Sequence, residues 1–313
     1  MLVNFCLFIT IAFSALTAGA ADKVRLALNW KPEPQFGGFY AAQEAGEFTK
    51  RGINVEITPG GAGAPVVQMV AAGRVEFGIV SADEVVISQA RGGDVIALFA
   101  VYQTNPQAIM VRAERNVSTL RELFQSAGPI ALQKGLPYAL YLQQKYTESK
   151  ASLVPYLGGI ANFAAEPKYA QQCFSSSEPL AAKRMGINGT KVFLIADEGF
   201  NPYTTVLIAK SATIKADPKL ARLMVEAVRA GWRKYLDDPS PANAIMHKLN
   251  PSMDMRTFAD GAAAQSALIE PPGAKAAVLG RMTSQRWSDL SRQLLSLKLI
   301  DKEPASGSLF QDL

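Results

Sequence analysis

The chain has 313 residues, of which 49% are apolar and 19% charged, with a net charge of +5. That balance excludes a disordered polyelectrolyte. Because its Lys and Arg are scattered among acids with no dense basic block, it also argues against a nucleic-acid binder. Two cysteines and one histidine leave little material for disulfides, metal sites or histidine chemistry.

Residues 1–20, "MLVNFCLFITIAFSALTAGA", carry no charged side chain, run apolar from about residue 2 to 16 and end in Ala18-Gly19-Ala20. A small-x-small ending after a short apolar run marks a cleaved secretory leader and a periplasmic destination. The alternative is a retained anchor, since the segment before the apolar run has no Lys or Arg. Cleavage would remove Cys6 and leave Cys173 alone, so the mature chain would rely on hydrophobic cores. Roughly 290 residues suit two such cores.

From Val24 onward strands and helices alternate. "VRLAL" reads as a buried strand, "GFYAAQEAGEFTKRG" as a helix closed by Gly52, and "INVEIT" as a second strand. A glycine loop, "PGGAGAP", leads to a short helix, "PVVQMVAAG", and then to the strand "VEFGIV". A helix opening with Asp83 and Glu84 precedes the apolar strand "VIALFAVY". Near-continuous apolar strands between helices predict a parallel sheet covered on both faces.

Asn105-Pro106 breaks the run, and a new series follows: "STLRELF" helix, "PIALQ" strand, "PYALYLQQKY", "EPKYAQQ" and "EPLAAKRMG" helices, and "KVFLIA" strand. A second break at "GFNPY" precedes "TTVLIAK", and the remainder is mostly helical. The two breaks read as a pair of crossovers. They divide the chain into lobe 1, residues 21–103 and 205–313, and lobe 2, residues 104–204. The predicted class is α/β, two lobes joined by two crossover segments, with a cleft at the carboxyl ends of the strands.

Candidate ligand contacts follow from that cleft. Trp30, beside Asn29 at the end of the first strand, offers a stacking face and an amide; packing beneath the loop is the alternative. Tyr40 reaches the cleft or the core. Gly63 and its neighbours let backbone amides approach a ligand or simply make a turn. Ser81 and Glu84 cap a helix or face the cleft. Tyr102 lines the cleft floor or serves the hinge. Tyr138 and Phe163 are the second lobe's counterparts, and Glu178, ahead of Pro179, is a helix cap or a ligand partner. His247 lies in a helical stretch far from any strand end. No catalytic residue, metal site or cofactor is predicted.

The stretches "ALNWKPEPQFGGFYAAQEAGEFTKRGINVEI", "GGAGAPVVQMVAAGRVEFGIVSADEV" and "AQQCFSSSEPLAAKRMG" together resemble the substrate-binding proteins of ABC importers in the sulfonate/nitrate/thiamine-pyrimidine (NMT1-like) superfamily. The Asn-Trp-x-Pro start is most similar to the branch that binds thiamine pyrimidine precursors and to the related fungal synthases. The likeness runs from about residue 23 to about residue 300. It implies a type II periplasmic-binding fold, a monomer that closes on one small molecule, and an ABC permease as partner. It also implies a pyrimidine contact for Glu178. At Glu84 the synthases carry a reactive histidine, and their cysteine-rich loop is replaced here by "EGFNPYTTVLIAK". Their chemistry is therefore not expected. A small-anion binder, for a sulfonate or nitrate, is the competing ligand class, which two cleft carboxylates would repel.

Overall fold

The computed structural model describes residues 23–274 and 278–313; the expected leader lies outside the described residues. The chain opens with β1 (Lys23–Ala27), α1 (Gly37–Glu44), β2 (Asn54–Thr58), α2 (Val66–Ala71), β3 (Phe77–Val80), α3 (Ala82–Ala90) and β4 (Ile96–Tyr102). It crosses into β5 (Gln107–Val111), α4 (Leu120–Gln125), β6 (Pro129–Leu132), α5 (Pro137–Lys145), β7 (Ser152–Pro155), α6 (Ala161–Ala165), β8 (Ala170–Phe174), α7 (Glu178–Arg184) and β9 (Lys191–Leu194). It returns through β10 (Thr204–Ala209) to α8 (Ser211–Ala216), α9 (Pro218–Asp237), α10 (Ser240–Leu249), α11 (Met255–Ile269), α12 (Ser284–Ser296) and α13 (Ser306–Leu309). No helix among the described residues is long and apolar enough to cross a membrane.

Two five-stranded sheets result, ordered β2-β1-β3-β10-β4 and β7-β6-β8-β5-β9. The expected parallel sheet is in fact mixed. β1 pairs in parallel with β2 and β3, but β10 runs antiparallel to β3 and β4. In the second sheet β6 is parallel to β7 and β8, and β5 is antiparallel to β8 and β9. The reason is topological: each antiparallel strand is the one delivered by a crossover from the other lobe. The two sheets therefore share one strand order, a repeat in architecture that the sequence does not display.

Two local readings also change. The first helix stops at Glu44 because Gly46 turns left-handed (φ 66°), and the tail of the expected helix makes a separate tight turn at Thr49–Arg51. "EPKYAQQ" was expected as a helix, yet Ala170 to Gln172 belong to β8.

The glycine pair that opens α1 answers to packing. α9, started by Pro218 and capped by the Asp217 side chain on Leu220 N (2.9 Å), lays Trp232 and Tyr235 against α1. A Cβ at Gly38 would sit 2.2 Å from the Trp232 ring and one at Gly37 2.1 Å from Tyr235. Phe39 meets Trp232 edge-on at 5.9 Å. Gly38→Ala is expected to cost at least about 1–3 kcal/mol of stability, read as a lower urea midpoint with an unchanged m-value. An unchanged midpoint would refute the packing role.

Candidate functional site

A cleft of about 450 Å³ opens between the lobes, a size that suits a small organic molecule. Lobe 1 contributes the loops that leave the carboxyl ends of β1, β2 and β3; lobe 2 contributes those that leave β6, β7 and β8. The crossovers close the floor with Asn105, Phe200, Pro202, Thr204 and Thr205.

Trp30 is half-buried and lines this space. Its indole N–H donates to Glu33 Oε1 at 3.1 Å, and its carbonyl accepts from Gly60 N at 3.0 Å. Gly60 has no room for a side chain, since a Cβ would lie 2.0 Å from the Leu28 carbonyl oxygen. The glycine loop thus packs directly on the exit of β1 and holds the Trp30 backbone in place. Asn29 and Gly63, the latter left-handed at φ 77°, also line the cleft.

At α3, Glu84 Oε2 accepts the Ser81 N–H at 2.8 Å, and Ser81 Oγ pairs with Thr204 Oγ1 at 3.1 Å. The Glu84 carboxylate therefore serves its own helix with one oxygen while still lining the cleft. Asp83, next to it, is half-buried and bonds no other side chain among the described residues. Thr205 holds φ at 52°, a costly value for a β-branched residue, right at the cleft floor.

In lobe 2, Glu178 sits at the first position of α7. Its Oε2 accepts from Phe174 N at 2.8 Å and its Oε1 from the Tyr156 hydroxyl at 3.0 Å. Tyr138 donates to Gln172 Oε1 and accepts from Gln133 N at 3.1 Å, while Gln172 Nε2 returns a bond to Gln133 Oε1 at 2.8 Å. This amide and phenol lattice presents fixed donors and acceptors to the cleft.

Three expected contacts lie elsewhere. Tyr40 is buried in the core of lobe 1 at 1% exposure, because α1 is covered from Gly37 through Ala42. Tyr102 is fully buried and donates to Gln265 Oε1 at 2.5 Å; Gln265 in turn donates to the Pro34 carbonyl at 2.8 Å, so Tyr102 ties α11 beneath the loop that carries Glu33. Phe163 fills the separate core of lobe 2 with Cys173 and Tyr169. Sequence reasoning passed over Glu33 and Tyr156 and noted Asp83 only as a carboxylate at a helix start, without naming it as a ligand contact. Of these only Asp83 carried a signal, its place in the first turn of a helix that leaves a strand end.

The electrostatics of the cleft have one sign. Four carboxylates line it, Glu33, Asp83, Glu84 and Glu178, and among the described residues no Lys, Arg or His does. Burial pushes Glu33 up to about 7, against the Trp30 hydrogen bond and helped by the charge of Glu178. Burial, reinforced by Asp83, brings Glu84 to about 7, and burial, opposed by a hydrogen bond from its own backbone, takes Asp83 to about 6. Glu178 is raised by burial, which the Phe174 and Tyr156 bonds oppose.

The hinge is clamped from outside. Arg286 of α12 donates to the Gln103 carbonyl (2.6 Å), the Asn201 carbonyl (2.7 Å) and Asn201 Oδ1 (2.9 Å), so one guanidinium holds both crossovers. Its charge lies 3.9 Å from the centre of the Tyr203 ring. Asn105 links the crossovers again, its N–H donating to Asn201 Oδ1 and its amide to the Pro202 carbonyl, both at 2.9 Å.

Solved structures share this architecture. The periplasmic aliphatic sulphonate binding protein SsuA from Escherichia coli superposes with a TM-score of 0.67 at 14% identity, covering 93% of this chain and 92% of its own. The putative periplasmic sulfonate-binding protein SsuA from Methylobacillus flagellatus KT gives 0.66 at 14% identity, with 94% and 92% covered. The desulfurization enzyme DSZB gives 0.60 at 14% identity, with 92% and 96% covered. The two-lobed fold of the periplasmic binding proteins is therefore shown, and it carries both receptors and an enzyme. No curated protein sequence matches the chain. The family described as NMT1/THI5 like matches residues 33–125 and 159–242, more than half of the sequence, and the chain belongs to that family.

Proposed function

We propose that the protein is the solute receptor of an ABC importer, working in the periplasm as a monomer, that captures a small flat amino-bearing heteroaromatic of the thiamine-pyrimidine-precursor class and delivers it to a membrane permease. Lobe 1, residues 21–103 and 205–313, and lobe 2, residues 104–204, would close on the ligand about the clamped crossovers. One observation carries the reading: the indole of Trp30 from one lobe and the carboxylate of Glu178 from the other line the same cleft. Stacking on the indole suits a flat ring, and the Gln133, Gln172 and Tyr138 lattice suits its polar edge. Ligand shifts the lobes only by its differential affinity for the closed state, so contacts from both sides are what the mechanism needs.

Two fold relatives described as sulfonate binders favour a second reading, a small anion. The cleft works against it. The first turns of α3 and α7 already carry the carboxylates of Asp83, Glu84 and Glu178, and among the described residues no basic side chain lines the space. An enzyme is less supported still. The Cys173 thiol is pushed up by burial, away from the reactive thiolate, and His247 Nδ1 bonds the Met253 carbonyl at 2.8 Å on α10. A thermal-shift screen of aminopyrimidines against alkanesulfonates and nitrate tests the assignment. Aminopyrimidines should raise the melting temperature by several degrees at saturation; a shift with the anions alone would overturn it.

A further inference from the structure

The charge census of the cleft says more about the ligand than its shape does. Glu33 and Glu178 come from facing lobes, and each is oriented by a fixed donor: Trp30 Nε1 at 3.1 Å for Glu33, Phe174 N and the Tyr156 hydroxyl at 2.8 and 3.0 Å for Glu178. Asp83 lines the same cleft, half-buried and without a side-chain partner among the described residues. Like charges on opposing walls repel, and partial burial strengthens that repulsion. The other titratable groups facing this space are Glu84, Tyr138, Tyr156 and Cys173; none of them is cationic in any state. Lys31, on the same loop as Glu33, is exposed, and its charge favours the ionised form of Glu33 less than the Trp30 hydrogen bond does.

We propose that the cleft selects its ligand as a cation, an amidinium-like or protonated aminoheterocycle, and that Asp83, the acid least engaged by its neighbours, meets the positive charge. This rests on the receptor reading above and adds the charge of the bound species. A neutral ring of the same shape would leave the acids either unpaired or protonated. A cation supplies the missing counter-charge to both lobes at once.

The pH dependence follows from the same arrangement. Below about pH 6 Glu33, Asp83 and Glu84 largely hold their protons and offer a fixed cation little counter-charge, and above about pH 7 they are largely ionised. Affinity for a permanently charged ligand should therefore rise between pH 6 and pH 8.

The test uses the full chain and two probes of one shape, an N-methyl aminopyridinium, charged at every pH, and the corresponding neutral methylaniline. Calorimetry should show the charged probe binding at least tenfold more tightly to the wild-type protein, with an advantage that grows several-fold from pH 6 to pH 8. Asp83→Asn, close in size, should collapse the ratio of the two affinities toward unity. Should that variant misfold, the wild-type pH profile and Glu178→Gln give the same reading. Equal affinities, or a ratio that Asp83→Asn leaves intact, would overturn the charge rule while the receptor assignment stood. If neither probe nor any aminopyrimidine bound, the receptor assignment would fall and take the charge rule with it.

Discussion

Trp30→Ala is expected to weaken aminopyrimidine binding by roughly one to two orders of magnitude in a calorimetric titration, with little change in melting temperature. Stacking of a flat ring on an aromatic side chain is worth about 1–3 kcal/mol, and each 1.4 kcal/mol is a factor of about ten. The indole does a second job, since its N–H holds Glu33 at 3.1 Å; without it that carboxylate loses its orienting donor. Stability should hardly move because Trp30 is only half-buried, and its backbone position is fixed independently through Gly60. Trp30→Phe separates the two roles: the face remains, the donor is lost, and an intermediate affinity is expected. Undiminished binding by Trp30→Ala would remove the reason for placing the ligand in this cleft.

Arg286→Ala is expected to be the most damaging single change outside the hydrophobic cores. Hydrogen bonds from a charged group contribute about 1.5–3 kcal/mol each, though not additively, and this side chain makes three of them at 2.6 to 2.9 Å. Its removal orphans carbonyls on both crossovers and uncovers the face of Tyr203. A loss of about 3 kcal/mol is a fair expectation, seen as a melting temperature several degrees lower. Arg286→Lys should not rescue it, because a single ammonium cannot reproduce a planar fork that reaches two segments. A lysine variant as stable as the wild type would show that the clamp is incidental.

Much of lobe 1 is legible in the sequence, because the runs around Leu26, Ile79 and Leu98 are apolar, short and punctuated by Gly or Pro, and their burial is near complete. Strand direction is not legible. Nothing in the apolar runs of β10 and β5 marks their direction; only the path of the chain across the hinge turns them antiparallel. β8 hides for a different reason: Ala and Gln favour helix locally, but Gln171 and Gln172 are buried and spend their amides on the Gly159 carbonyl and on Gln133. Tertiary partners outweigh propensity there.

The site divides the same way. Trp30, Glu84 and Glu178 stand next to strand ends or helix starts, where a cleft is expected in this class of fold. Tyr40 could not be placed because six consecutive residues of α1, Gly37 to Ala42, are all buried and give no periodic clue to which one faces a ligand. Tyr102 ends a strand yet points toward α11, a partner more than 160 residues away in the chain. Glu33 lies in an irregular loop whose course depends on Gly60 and on Gln265, so no local pattern reveals it.

The central claim is that an aromatic face and a carboxylate from opposite lobes meet on one nitrogen-bearing ring. Native mass spectrometry of the protein isolated from its own host, followed by release and identification of what it carries, tests this most directly. The account predicts a small flat amine-bearing compound that is lost from the Trp30→Ala variant. A sulfonate or another anion carried in its place, and retained by that variant, would contradict it.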